Sequence, residues 1–147
     1  MPGVDVLSET VIARPRETVS TFAADPDNAP KWYVNIKSVE WKNDPPLRPG
    51  SRIAFVAHFL GRRLAYTYEV IDYVPKEHLS MRTADGPFPM ETIYGWTSTA
   101  DGGTRMTLRN RGNPSGFSRL MTPFMAGAMR RANRKDLARL KELMERV

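Results

Sequence analysis

The sequence predicts an α+β fold in a single domain spanning residues 1–147: a curved antiparallel β-sheet of about seven strands, two short helices after the first strand, and a long C-terminal helix held against the sheet across an internal hydrophobic cavity. Three observations carry this. Apolar residues recur at helical spacing near the C-terminus, at Phe117, Leu120, Met121, Phe124, Ala128 and Ala132, then at Leu137, Leu140, Leu143 and Met144; this is the stripe of a helix with one buried face. Six short alternating segments between residues 33 and 111 are separated by turn chemistry, the pattern of an antiparallel meander. Such a sheet must have its apolar face covered, and only the C-terminal segment is long enough to do so.

Val4 to Ile12 is the first strand, with Val6, Ser8, Thr10 and Ile12 on one side and Asp5, Leu7, Glu9 and Val11 on the other; its β-branched content suits a pleated surface, and either side could face inward. Pro15 opens a short helix that puts Val19, Phe22 and Ala23 on one face. Asp25-Pro26 repeats the start signal, an acceptor side chain before proline, so a second short helix runs to about Trp32. The second strand, Tyr33 to Lys42, sets Asn35, Lys37, Val39 and Trp41 against Ile36, Ser38 and Glu40, and Asn43-Asp44-Pro45-Pro46 ends it.

After Pro49-Gly50, Ser51 to Phe59 brings Ile53, Phe55, Ala57 and Phe59 together. A hairpin through Leu60-Gly61-Arg62 returns along Arg63 to Tyr73, with Leu64, Tyr66, Tyr68 and Val70 on one side. His78 to Thr83 turns Leu79 and Met81 inward, Met90 to Ser98 aligns Met90, Thr92, Tyr94 and Trp96, and the Asp101-Gly102-Gly103 turn leads into Thr104 to Arg111 with Met106, Leu108 and Asn110 together. Pro123 falls inside the helical period and is expected to kink the helix, because Phe117 and Leu120 already belong to the stripe. Asp136 falls near the middle of the stripe, so the last two turns are expected to drift off the sheet.

Composition narrows the function. There is no cysteine, which excludes disulfides and thiolate chemistry. No span approaches the roughly 18 apolar residues of a membrane helix, and the N-terminus lacks a basic region followed by an apolar run, so a cytoplasmic location is expected. The net charge of +6 is concentrated at one end: from Ser115 onward there are eight bases and three acids. A basic helix face can meet an anionic membrane surface or nucleic acid. No aromatic residue is interleaved with those charges as a stacking platform, so no specific nucleic-acid partner is expected, and peripheral membrane contact stays open.

The run Val11-Ile12-Ala13-Arg14-Pro15-Arg16-Glu17-Thr18-Val19, with Phe22, Asp25-Pro26 and Trp32, then Leu60-Gly61-Arg62-Arg63, Val70 to Pro75, Gly102-Gly103-Thr104 and the closing Asp136-Leu137-Ala138-Arg139-Leu140-Lys141, resembles the START-related polyketide cyclase/dehydrase and lipid-transport superfamily (SRPBCC). The resemblance spans nearly the whole chain and implies the helix-grip fold. It also implies a hydrophobic or amphipathic ligand, lipid or polyketide-like, between sheet and helix. The shared positions are turns, caps and core, so the resemblance does not fix an activity.

The residues leave three functions open: a binder or carrier of such a molecule, a cyclase/dehydratase acting on it, and an interaction protein using the basic helix face. Candidate ligand-binding residues are Phe55, Phe59, Tyr66, Tyr68, Met81, Thr92, Tyr94, Trp96 and Asn110 on the sheet and Met121, Phe124 and Met125 on the helix, apolar walls with a few polar tips. No catalytic residue is assigned. His58 falls with the outward set of its strand, and His78 stands beside a charged turn. Two histidines without cysteine argue against a transition-metal site, and no cofactor is expected. An enzyme would need an acid or base at the ligand, for which a tyrosine working with Asn110 is the simplest arrangement.

Overall fold

The computed structural model describes residues 3–59, 61–86, 89–112 and 122–146. Its elements run β1 (Val4–Ile12), α1 (Arg16–Ala24), a 3₁₀ turn (Pro26–Asn28), α2 (Ala29–Trp32), β2 (Ile36–Trp41), β3 (Arg52–Phe59), β4 (Arg62–Val74), β5 (His78–Asp85), β6 (Met90–Ser98), β7 (Thr104–Gly112) and α3 (Thr122–Glu145). The seven strands form one curved, unclosed antiparallel sheet in the order β1-β7-β6-β5-β4-β3-β2, so β2 to β7 are a meander and β1 closes against β7. With α3 across its inner face, this is the helix-grip fold.

The turns follow from local chemistry. Asp25 accepts a hydrogen bond from the Asp27 N–H at 3.0 Å, fixing the start of the 3₁₀ turn. Gly102, at φ 85°, supplies the left-handed residue between β6 and β7. On β1 the alternation resolves with Val4, Val6, Ser8 and Ile12 buried, while Leu7 and Val11 face solvent.

Register then sets side chains in rows across the inner face. Thr92 lies opposite Met81 on β5 and Asn110 on β7, and Asn110 lies opposite Val6 on β1. One step along, Tyr94 stands between Leu79 and Leu108. The buried side chains form two clusters. The larger gathers Trp32, Ile53, Trp96, Met106 and Leu108 with Leu137, Leu140 and Met144 of α3. The smaller holds Val4, Val6, Leu64, Tyr66 and Met90 with Met125 and Met129.

Two expectations change here, and a third rests on residues outside those described. The last turns of α3 stay docked: Glu145 accepts from the Ala13 N–H at 2.8 Å, Arg14 donates to the Met144 carbonyl at 3.0 Å, and Lys141 donates to the Val11 carbonyl at 2.7 Å. Leu137, Leu140 and Met144 are buried accordingly, and Asp136 is an inward residue of an unbroken stripe. Strand β2 starts three residues later than expected, and its register shifts between Ile36 and Ser38. That irregularity puts Ile36 on the same side as Val39 and Trp41, all three packed against the larger cluster. Pro123 lies in the first turn of the described helix; Phe117 and Leu120, on which the expected kink depends, lie outside the described residues.

Candidate functional site

Between the two clusters, where α3 crosses the sheet, lies a partly open cavity of about 150 Å³. Seven of the residues proposed from sequence line it: Phe55 of β3, Tyr66 and Tyr68 of β4, Met81 of β5, Thr92 and Tyr94 of β6, and Asn110 of β7. Alternation along each strand and the row register bring them together.

Three others stand elsewhere. Trp96 shares its face with Tyr94 but lies two residues further along β6, where Leu137 and Leu140 belong to the same packed cluster; it is core, 1 % exposed. Met125 is fully buried in the smaller cluster and does not reach the cavity. Phe124 is 71 % exposed, because its position on the helix is rotated about 100° from that of Met125, away from the sheet. Met121 and the side chain of Phe59 lie outside the described residues.

The remaining lining is not among the site residues proposed from sequence, although Ala57, Leu64, Met90 and Ala132 fall on faces read there as inward. Tyr33 and Asn35 come from the α2–β2 connection, and Ile36, Ala57, Leu64 and Met90 from the sheet. Met129, Ala132, Asn133 and Asp136 come from α3. The helical four follow i, i+3, i+4, i+7 spacing and so form one face.

Among the described residues, the side-chain hydrogen bonds of the lining form three sets. Thr92 Oγ1 donates to Asn110 Oδ1 at 2.6 Å, and Asn110 Nδ2 donates to Asn133 Oδ1 at 3.1 Å, which leaves the buried Asn133 Nδ2 without a partner among the described residues. The hydroxyls of Tyr33 and Tyr94 meet at 2.5 Å. Asp136, only 3 % exposed, accepts the Val34 N–H on Oδ1 at 2.8 Å. Its Oδ2 has no hydrogen bond or ion pair among the described residues.

Burial governs the titration of these groups. Removed from water, with only the Val34 N–H to offset the loss, the Asp136 carboxyl is pushed up to about 7. Burial likewise raises the phenols of Tyr33, Tyr94 and Tyr68 above their ordinary value, so all stay protonated at neutral pH. The cavity therefore presents phenols and amides that can orient a ligand, together with one carboxyl able to take or give a proton near neutrality.

The histidines take no part: His58 is exposed and His78 pairs with Asp72 at 2.5 Å, both outside the cavity. No group of three or more potential metal ligands occurs among the described residues. No helix among them is long and apolar enough to cross a membrane. Arg130, Arg131, Arg134 and Lys135 are exposed on the outer side of α3.

Residues 4–145 match the family model described as polyketide cyclase / dehydrase and lipid transport. The chain belongs to that family. Its membership supports a role in hydrophobic ligand binding or in cyclase chemistry, and the solved structures it resembles agree in fold. A START superfamily protein from Mycobacterium smegmatis superposes with a TM-score of 0.84 at 13% identity, covering 99% of each chain. The Zhui aromatase/cyclase from a Streptomyces species, strain R1128, gives 0.81 at 14% identity, covering 99% of this chain and 95% of that one. A protein from Thermus thermophilus gives 0.81 at 19% identity, covering 94% of each. No curated protein matches the sequence.

Proposed function

We propose that this member of the polyketide cyclase/dehydrase and lipid transport family binds a small hydrophobic or amphipathic molecule in the cavity between sheet and α3. The observation that carries the reading is the cavity itself, with Phe55, Leu64, Met81 and Met129 as apolar walls and amides, phenols and one carboxyl to orient a polar group. Its size, about 150 Å³, suits a molecule near the scale of one ring better than a long acyl chain.

Ala132 tests this, because a larger side chain there would grow into the cavity. Ala132→Phe is expected to weaken binding of a neutral single-ring probe, 2-phenylethanol, by about tenfold or more in calorimetry, while thermal stability holds or rises as empty space is filled. Native mass spectrometry of protein purified from cells is expected to retain a small apolar adduct that this variant loses. Finding no adduct, and no binding across neutral ring and lipid probes, would reject the reading.

The Asp136 carboxyl on the same lining as the Tyr33–Tyr94 pair favours a second reading, a cyclase/dehydratase-type enzyme. For loss of water from a β-hydroxycarbonyl compound, Asp136 as carboxylate would take the proton next to the carbonyl. The phenol pair would protonate the departing hydroxyl, and exchange with solvent would reset both groups. Tyr94→Phe is then expected to slow turnover by about 100-fold or more with affinity changed by less than about threefold. Equal losses in binding and turnover would instead make Tyr94 a simple ligand contact.

A further inference from the structure

The cavity's charge is one-sided. Among its described lining residues none is lysine, arginine or histidine, and the one carboxyl is Asp136. Burying a carboxylate without a cation is costly, and such groups in folded proteins are paired. Here Oδ1 holds the Val34 N–H and Oδ2 is left open among the described residues. Around the same cavity stand the rings of Tyr33, Phe55, Tyr66, Tyr68 and Tyr94, whose faces carry the negative end of the aromatic quadrupole and attract cations. A carboxylate or phosphate entering this space would meet Asp136 with no cation on the described lining to offset it; the Arg62 guanidinium, which acts on Tyr66, stands outside that lining.

Resting on the binding reading above, we infer that the preferred ligand is a ring-sized apolar molecule carrying a protonated amine, its ammonium paired with the open oxygen of Asp136 and set among the tyrosine rings. Neutral alcohols of the same shape would use the amides and phenols and bind more weakly. Acids of the same shape would be excluded. The phenols of Tyr33 after α2 and Tyr94 on β6 interact with Asp136, and the other titratable groups of the described lining are the phenols of Tyr66 and Tyr68 on β4. All four are held protonated by burial, so between about pH 5 and pH 8 the carboxyl alone changes charge on that lining.

A matched set of probes decides the matter: 2-phenylethylamine, 2-phenylethanol and 3-phenylpropanoate, titrated calorimetrically into wild type and Asp136→Asn at about pH 8 and about pH 5. At the higher pH the amine is expected to bind wild type about tenfold tighter than the alcohol, with the acid at least about tenfold weaker than the alcohol. Asp136→Asn should bring the amine to within about threefold of the alcohol measured in the same variant, and a cooperative urea transition shows that the variant is folded. Lowering the pH should weaken the amine and not the alcohol. An acid or alcohol that binds as well as the amine, or an amine preference that survives in the variant, overturns the inference and leaves the binding reading standing. Failure of all three probes overturns the inference, and with no native adduct and no lipid binding as well it overturns both.

Discussion

Stability is expected to fall as the pH rises from about 4 to about 8, and Asp136→Asn is expected to flatten that fall. The carboxyl of Asp136 has an ordinary value of 3.8 and is pushed up to about 7 in the folded protein, chiefly by burial. Below both values the folded and unfolded chains hold the proton equally. Between them only the folded chain keeps it, so each increment of pH favours unfolding; above about 7 the loss is complete, and it amounts to roughly 3 to 5 kcal/mol. Asparagine retains an oxygen for the Val34 N–H and has no charge to bury.

Asp5, Asp101 and Glu145 pull the other way, since hydrogen bonds from Arg109, Thr99 and Lys141 respectively hold them below the usual carboxylate range. Their exposed contributions are lost only in more acidic solution. Urea unfolding at about pH 4.5, 6 and 8 should therefore show wild type losing several kcal/mol across the series, with the variant changing by less than about 1 kcal/mol. Parallel profiles would mean that Asp136 is solvated and ordinary, and would remove the support it lends to either proposed chemistry.

The second large effect concerns Trp96. At 1 % exposure, with its ring edge-on to Tyr94 at 5.9 Å between centroids, it fills the larger cluster beneath the cavity. Trp96→Ala should cost about 3–5 kcal/mol, a large share of a domain's stability, by removing that contact area and leaving a void. Phe124→Ala should cost less than about 0.5 kcal/mol, since a ring 71 % exposed loses little on truncation. Comparing the two urea midpoints checks the assignment, because both residues carry the same apolar signal in the sequence. Similar losses would put Phe124 in a packed environment and overturn the placement of both.

The contrast between Tyr94 and Trp96 shows where sequence reading stops. Alternation along β6 puts both on the inner face, and that is a local property of any pleated strand. Whether a given inward residue borders empty space or packed side chains depends on how far α3 stands from it, and that distance is set by residues on several other elements. Tyr33 reads as strand because its neighbours alternate, yet it caps the end of α2, and the turn there aims its hydroxyl at Tyr94. Ile36 changes sides through a register irregularity that no period can reveal.

Asp136 is the most instructive of these residues. In a stripe of apolar residues a carboxyl reads as the point where a helix turns to water, because burying it alone is unfavourable. It is buried, with the Val34 N–H to receive it and a cavity beside it. The order of elements, the meander, the covering helix and the face that most strands turn inward could all be read from the chain alone, since turn chemistry and periodicity are written in neighbouring residues. Which inward residues meet across the cavity, and that a carboxyl lies among them, emerged only from the packing in three dimensions, because cavity space and desolvation arise from the separation of elements far apart in the chain.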